Sequence, residues 1–149
     1  MFFALENLPK KIARRLKPSL RKKHHLERLV GPIGFWDELQ EYQINCMKKL
    51  GLKPDHHFLD IGCGPLQGGI AFIDYLNTGK YVGVDYRLEP IEAGYKQILQ
   101  KQLFHKNPVL IVSKNFGQDE LAEKKFDFVW ASQILYHLED DLLDTCFNP

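Results

Sequence analysis

Between residues 35 and 131 the apolar positions follow two alternating rhythms, one helical and one extended. Trp36, Leu39, Tyr42, Cys46, Met47 and Leu50 recur three or four residues apart, apart from the adjacent Cys46 and Met47. They form one stripe and predict an amphipathic helix over about 35–51. Gly51 suits a C-terminal cap, and Pro54 prevents continuation. Next, His57-Phe58-Leu59-Asp60-Ile61 is a short apolar run ending in glycines, which reads as a strand. A helix follows over about 66–77, with Ile70, Ile73 and Leu76 on one side. Tyr81-Val82-Gly83-Val84 is the second strand. A helix over about 88–104 sets Ile91, Tyr95, Ile98, Leu99 and Gln102 in register. Val109-Leu110-Ile111-Val112 is the third strand, and a short helix near 118–123 leads into a fourth at Phe126–Ala131. A last helix starts near Glu139. Strands alternating with helices imply crossover connections, hence an α/β fold with a mostly parallel sheet.

The first 30 residues differ in kind. They carry nine Lys or Arg against two acids, whereas the rest of the chain is net acidic, although the whole sums to +1. Ile12, Leu16 and Leu20, then Leu26 and Leu29, give this segment a narrow apolar stripe, interrupted by Pro18. It reads as a basic helical arm over 1–31, ending at the turn cluster Gly31-Pro32-Ile33-Gly34, with one domain over 32–149. The arm lacks the interleaved aromatics expected for stacking on single-stranded nucleic acid. Docking on the acidic body or on another chain is the preferred reading, and contact with an anionic surface the other. Three cysteines without a C-x-x-C pair suggest neither a disulfide framework nor zinc. No apolar run reaches the roughly 20 residues of a membrane span. The start is too short for a signal-peptide core, so a cytoplasmic protein is expected.

Candidate chemistry concentrates in Asp60-Ile61-Gly62-Cys63-Gly64-Pro65-Leu66-Gln67-Gly68-Gly69, between the first strand and its helix. Glycines are needed where the backbone turns sharply and a ligand touches main-chain atoms. Asp60 directly precedes the loop, and a second acid, Asp85, follows the second strand. Open α/β sheets bind nucleotides at this loop and this acid.

Phe58-Leu59-Asp60-Ile61-Gly62-Cys63-Gly64 resembles the first motif of class I, Rossmann-like S-adenosylmethionine-dependent methyltransferases. The resemblance extends over about residues 33–149, through the order of elements, Asp85, and the Phe126-Asp127-Phe128-Val129 strand followed by Leu135-Tyr136-His137-Leu138. It implies a doubly wound sheet of order three-two-one-four, S-adenosylmethionine as cofactor, no metal, and in-line methyl transfer to an acceptor that the sequence does not name. On this reading Asp60 holds the ammonium end of the cofactor, directly or through water. Gly62 and Gly64 admit its methionyl and ribose portions, with Cys63 filling the small position between them. Asp85 accepts both ribose hydroxyls, and Tyr86 packs on the adenine. In the loop after strand three, Asn115, beside Phe116, accepts from the adenine amino group. Gln133 reaches the methionyl end. The catalytic residue stays open: His137 and Tyr136 are the candidates, equally readable as a helix cap and a core side chain. Asp85→Ala is expected to abolish cofactor binding with the fold intact. Phe35, Trp36 and Gln43 read as helix packing in preference to a lid. One position departs from the family pattern: Leu66 stands where a third glycine is frequent, and Gly68 and Gly69 come later to let the helix pack closely.

A nicotinamide-dependent oxidoreductase is the lower-ranked alternative, because G-x-G-x-x-G is not met (Gly68 falls one residue late) and Asp60 would repel a pyrophosphate. A non-catalytic S-adenosylmethionine-binding module is another. The family sheet has seven strands and four are legible here, which leaves strand four with an open edge. A truncated chain is the preferred explanation. Completion of the sheet by a second copy or a partner, and a minimal binding module, are the others.

Overall fold

The computed structural model describes residues 34–134, together with Leu26, Arg28 and Leu29. The basic arm, the Leu135–Leu138 segment with Tyr136 and His137, and the final helix lie outside the described residues.

The four short apolar runs become four strands: β1 (Phe58–Ile61), β2 (Tyr81–Asp85), β3 (Val109–Val112) and β4 (Phe128–Ala131). They pair in parallel, in the order β3-β2-β1-β4. β1 and β2 lie in the middle, and all five residues of β2 are buried. This explains why both read as apolar runs without alternation.

Parity in the register sorts the side chains. Phe58 and Asp60 of β1 align with Tyr81 and Gly83 of β2 and with Phe128 and Trp130 of β4. This face packs under α1 (Trp36–Lys49), α2 (Gly69–Tyr75) and α3 (Leu88–Gln100). At its centre the Phe58 ring lies between Phe72, 4.5 Å away, and Tyr81, 6.2 Å away. The opposite face carries Leu59, Val82 and Val84, packed with Leu121 of the short helix α4 (Gln118–Leu121). Helices on both faces of a parallel sheet make the fold doubly wound.

The helices depart from the apolar stripes in instructive ways. In α1 the buried residues are Trp36, Gln43, Ile44 and Met47, whereas Phe35, Tyr42 and Leu50 are exposed. The buried stripe is rotated because it includes an amide: Gln43 Oε1 accepts from Trp130 Nε1 of β4 at 3.3 Å. Packing therefore holds for Trp36 and Gln43 but not for Phe35. The predicted cap at Gly51 is a Schellman motif. Gly51, at φ +97°, donates to the Lys48 carbonyl and Leu52 to that of Met47, with Leu52 buried. The second helix begins at Gly69, not near 66, because the glycine loop occupies the residues before it. The third ends at Gln100. Gln102 takes a left-handed φ of 58°, and a 3-10 turn (Leu103–Lys106) follows. Lys106 Nζ donates to the carbonyls of Asp74 and Leu76 and so closes the end of α2. Tyr95 and Leu99, expected in register with Ile91 and Ile98, remain exposed.

Candidate cofactor-binding site

Three of the four strands run directly into loops at the same end of the sheet, and there the candidate residues gather: the glycine loop after β1, Asp85 closing β2, and Ser113–Gly117 after β3. Past β4, Gln133 and Ile134 follow. β2 and β4 flank β1 on opposite sides, so the connections diverge there and leave the crevice where open sheets take ligands.

The loop is fastened from several sides. Gly62 and Cys63 both donate backbone N–H to the Val84 carbonyl, at 2.7 and 3.0 Å. Gly62 has φ +70°, and a Cβ there would lie 2.3 Å from Ile134 Cδ1. Its glycine is thus required by the left-handed turn and by Ile134. Cys63 packs its thiol against Gly83 of β2, where a Cβ would meet the sulfur at 2.9 Å. Burial, with Asp60 and Asp85 nearby, pushes this thiol well above its ordinary pKa. Cys63 can therefore offer a ligand only its backbone. Two glutamines brace the loop carbonyls: Gln97 of α3 donates to Pro65 at 2.7 Å, and Gln40 of α1 donates to Gln67 at 2.8 Å.

Leu66 resolves the departure from the family pattern. It adopts φ +66°, the left-handed conformation glycine favours, with a fully buried side chain. The space comes from glycines elsewhere. A Cβ on Gly69 would lie 2.6 Å from Leu66 Cδ2, and one on Gly94 3.0 Å from Leu66 Cγ. The missing third glycine is compensated in the neighbouring helices.

Asp60 is only 4% exposed, and its Oδ2 accepts from the phenol of Tyr81, itself 2% exposed, at 2.6 Å. Among the described residues, Oδ1 of Asp60 has no hydrogen-bond donor. Burial pushes the Asp60 carboxyl up to about 7, against the hydrogen bond from Tyr81 and with a contribution from the charge of Asp85. Asp85 is equally buried, and its two oxygens are shared out. Oδ2 accepts Gly64 N–H at 3.1 Å, and Oδ1 accepts Arg87 N–H at 2.9 Å. Each oxygen of a carboxylate can accept twice, so one position on each is left, enough for two hydroxyls. Because Asp85 also ties down Gly64, Asp85→Ala removes a strut of the loop, and the expectation of an untouched fold must be revised.

Tyr86 is exposed, with the Arg87 guanidinium 5.4 Å from its ring centre. Arg87 also reaches the segment before the domain. Its Nη2 donates to the Leu29 carbonyl at 3.2 Å, while its Nε is buried with no hydrogen bond among the described residues, 3.7 Å from Asp85 Oδ1. In the β3 loop, Asn115 Oδ1 accepts from Ser113 Oγ at 2.6 Å, and its Nδ2 donates to Asp119 at 2.8 Å. The amide oxygen expected to serve an adenine thus holds the loop together, with one lone pair left. Phe116, half-buried, and Gln133, exposed, both take left-handed φ of 57°.

The sequence did not single out Tyr81, Gln40, Gln97 or Arg87. A tyrosine opening a strand and a glutamine on a helix read as core and surface. Only the register, which sets Tyr81 beside β1, brings the phenol to Asp60.

Comparison with known proteins agrees with this fold. A family of methyltransferase domains matches residues 59–146. An uncharacterized methyltransferase of Schizosaccharomyces pombe is 26% identical over 92 residues, which cover 60% of this chain and 33% of that protein. The chain thus spans about a third of the length of this curated relative. Magnesium protoporphyrin IX methyltransferase from Synechocystis, solved with bound S-adenosylmethionine, has a similar fold: TM-score 0.61 at 15% identity, covering 97% of this chain and 71% of that one. An S-adenosylmethionine-dependent methyltransferase from Clostridium acetobutylicum matches with TM-score 0.59 at 18% identity, covering 75% and 43%. With the family match spanning more than half of its length, this chain belongs to the class I, Rossmann-like S-adenosylmethionine-dependent methyltransferase domains.

Proposed function

We propose that the crevice binds S-adenosylmethionine and presents its methyl group to an acceptor nucleophile. The observation that carries this reading is Asp85. It closes β2, fastens Gly64 of the loop, and keeps one acceptor position on each oxygen, matching the two hydroxyls of a ribose. Asp60 supplies the second anchor, an acid beside the loop suited to an ammonium group. The glycine loop, Asn115 and Tyr86 then border the rest of the ligand. When bound, the cofactor supplies a sulfonium-activated methyl, which the nucleophile takes by in-line displacement as the carbon–sulfur bond breaks. The residues of this chain orient rather than activate. Family membership supports this reading over a nicotinamide one, and the repulsion that Asp60 would exert on a pyrophosphate argues the same way.

Titration calorimetry with S-adenosylhomocysteine, with NAD as control, tests the proposal. Saturable binding of the first alone is expected. Asp85→Ala should abolish that binding. It should also lower stability by about 1–3 kcal/mol, because the Gly64 and Arg87 amides lose their acceptor. Retained affinity in a folded Asp85→Ala protein would remove the ribose assignment. Acceptor-dependent release of S-adenosylhomocysteine separates turnover from binding alone.

A further inference from the structure

We propose that Tyr81 is a positioning residue of this site, whose buried phenol holds Asp60 Oδ2 and favours the anionic form of the carboxyl, with Oδ1 left for the cofactor's ammonium group. The inference rests on the binding reading above and deepens it.

Among the described residues the phenol has no other hydrogen-bonding role. Its oxygen is buried beneath the glycine loop and donates to Asp60 at 2.6 Å, a length typical of a charge-assisted O–H···O bond. α2 approaches it closely, since a Cβ on Gly69 would lie 2.6 Å from the hydroxyl. The ring stacks on Phe58. A phenol so fixed is already in place before any ligand arrives.

The surroundings otherwise work against an anion here. Asp60 is faced by Tyr81 and Asp85 from β2 and by Cys63 from the loop. Gly69 of α2 and Trp130, its register partner on β4, carry no charge. No described cation offsets the burial, so Tyr81 is the group that favours the charged form. The phenol keeps its own proton, since burial and the charge of Asp60 both raise its pKa well above the usual tyrosine range. Tyr81 is therefore a donor at every working pH, and the titrating member of the pair is Asp60. Occupation by an ammonium group favours ionised Asp60, so binding should strengthen as pH rises through about 7.

The test is S-adenosylhomocysteine affinity between pH 5.5 and 8.5 for the full chain, Tyr81→Phe and Asp60→Asn. Removing the hydroxyl takes away a charge-assisted bond, which should shift ionisation of Asp60 upward by about one pH unit or more. Tyr81→Phe should then bind roughly fivefold more weakly at pH 7, with its rise in affinity displaced to higher pH and the deficit shrinking toward pH 8.5. Asp60→Asn should be weak and flat across the range. A Tyr81→Phe profile parallel to that of the parent, whether lower or superimposed, would mean that the tyrosine only fills space and would overturn the proposal. If Tyr81→Phe is poorly folded, a pH-dependent rise in the parent that persists in Asp60→Asn would overturn it equally. Absence of binding by the parent at every pH removes the cofactor reading itself, and this inference with it.

Discussion

Asp60→Asn is expected to raise the melting temperature of the ligand-free protein at pH 8 while abolishing tight S-adenosylhomocysteine binding. The folded-state pKa of Asp60 is pushed up to about 7 from an ordinary value of 3.8. Between those two values the folded chain holds a proton that the unfolded chain has released. Stability therefore falls as pH rises from about 4 to about 7, and the whole penalty remains above that. The interval corresponds to something on the order of 4 kcal/mol. An asparagine has the same shape, and its Oδ1 still accepts from Tyr81, yet it has no charge to desolvate. It brings an amide N–H2 of its own to bury, costing about 1–3 kcal/mol, so the net gain at pH 8 is smaller than the penalty relieved. At about 2–4 °C for each kcal/mol in a chain of this size, the gain should still be measurable. Near pH 4.5 the parent carries its proton, and the two proteins should be close or the parent slightly ahead. Melting curves at the two pH values are the check. If the difference between the proteins has the same sign and size at both, Asp60 does not titrate as its burial implies. A site that stores destabilisation in a buried acid with no described cation beside it would be trading stability for ligand binding.

Legibility in the sequence followed the local apolar pattern, and the edge strand β3 was read with its observed bounds although only Leu110 in it is buried. β1 and β2 sit in the middle of the sheet, and their apolar runs fixed the strands to within a residue. Asp60, Gly62, Gly64 and Asp85 stood out as acids and glycines at strand ends, and the structure gathers them at one end of the sheet. Helix ends were less so. Gln102 and Asn107 turn left-handed without being glycine, and no apolar period announces that. The stripe of α1 misled for another reason. Gln43 is polar by type, yet it lies in the buried stripe because Trp130, 87 residues later in the chain, brings it an indole N–H. The roles of Tyr81, Gln40 and Gln97 share this character. Each depends on a partner set by register or helix packing, and a linear reading has no access to that.

Leu66 is where these dependencies can be separated by experiment. Restoring the glycine of the family pattern should harm this chain. Leu66→Gly relieves a left-handed backbone, worth about 1–2 kcal/mol. It also empties a fully buried leucine site, and losses of this kind cost about 2–5 kcal/mol even when a methyl group remains. The void dominates, and the melting temperature should fall by several degrees. Gly94 then provides the decisive comparison. It lies inside α3, where alanine is preferred over glycine by roughly 1 kcal/mol, but its Cβ would stand 3.0 Å from Leu66 Cγ and 3.2 Å from Leu66 Cδ1. Gly94→Ala should therefore be neutral or destabilising in the parent. In the Leu66→Gly background, where the clash is gone and the new methyl enters the void, it should be stabilising. The two substitutions should couple by about 1 kcal/mol or more, with that reversal as the signature. Additive effects would mean that Leu66 and Gly94 are independent, and that the loop tolerates its leucine for a reason other than the room made by the helix glycines.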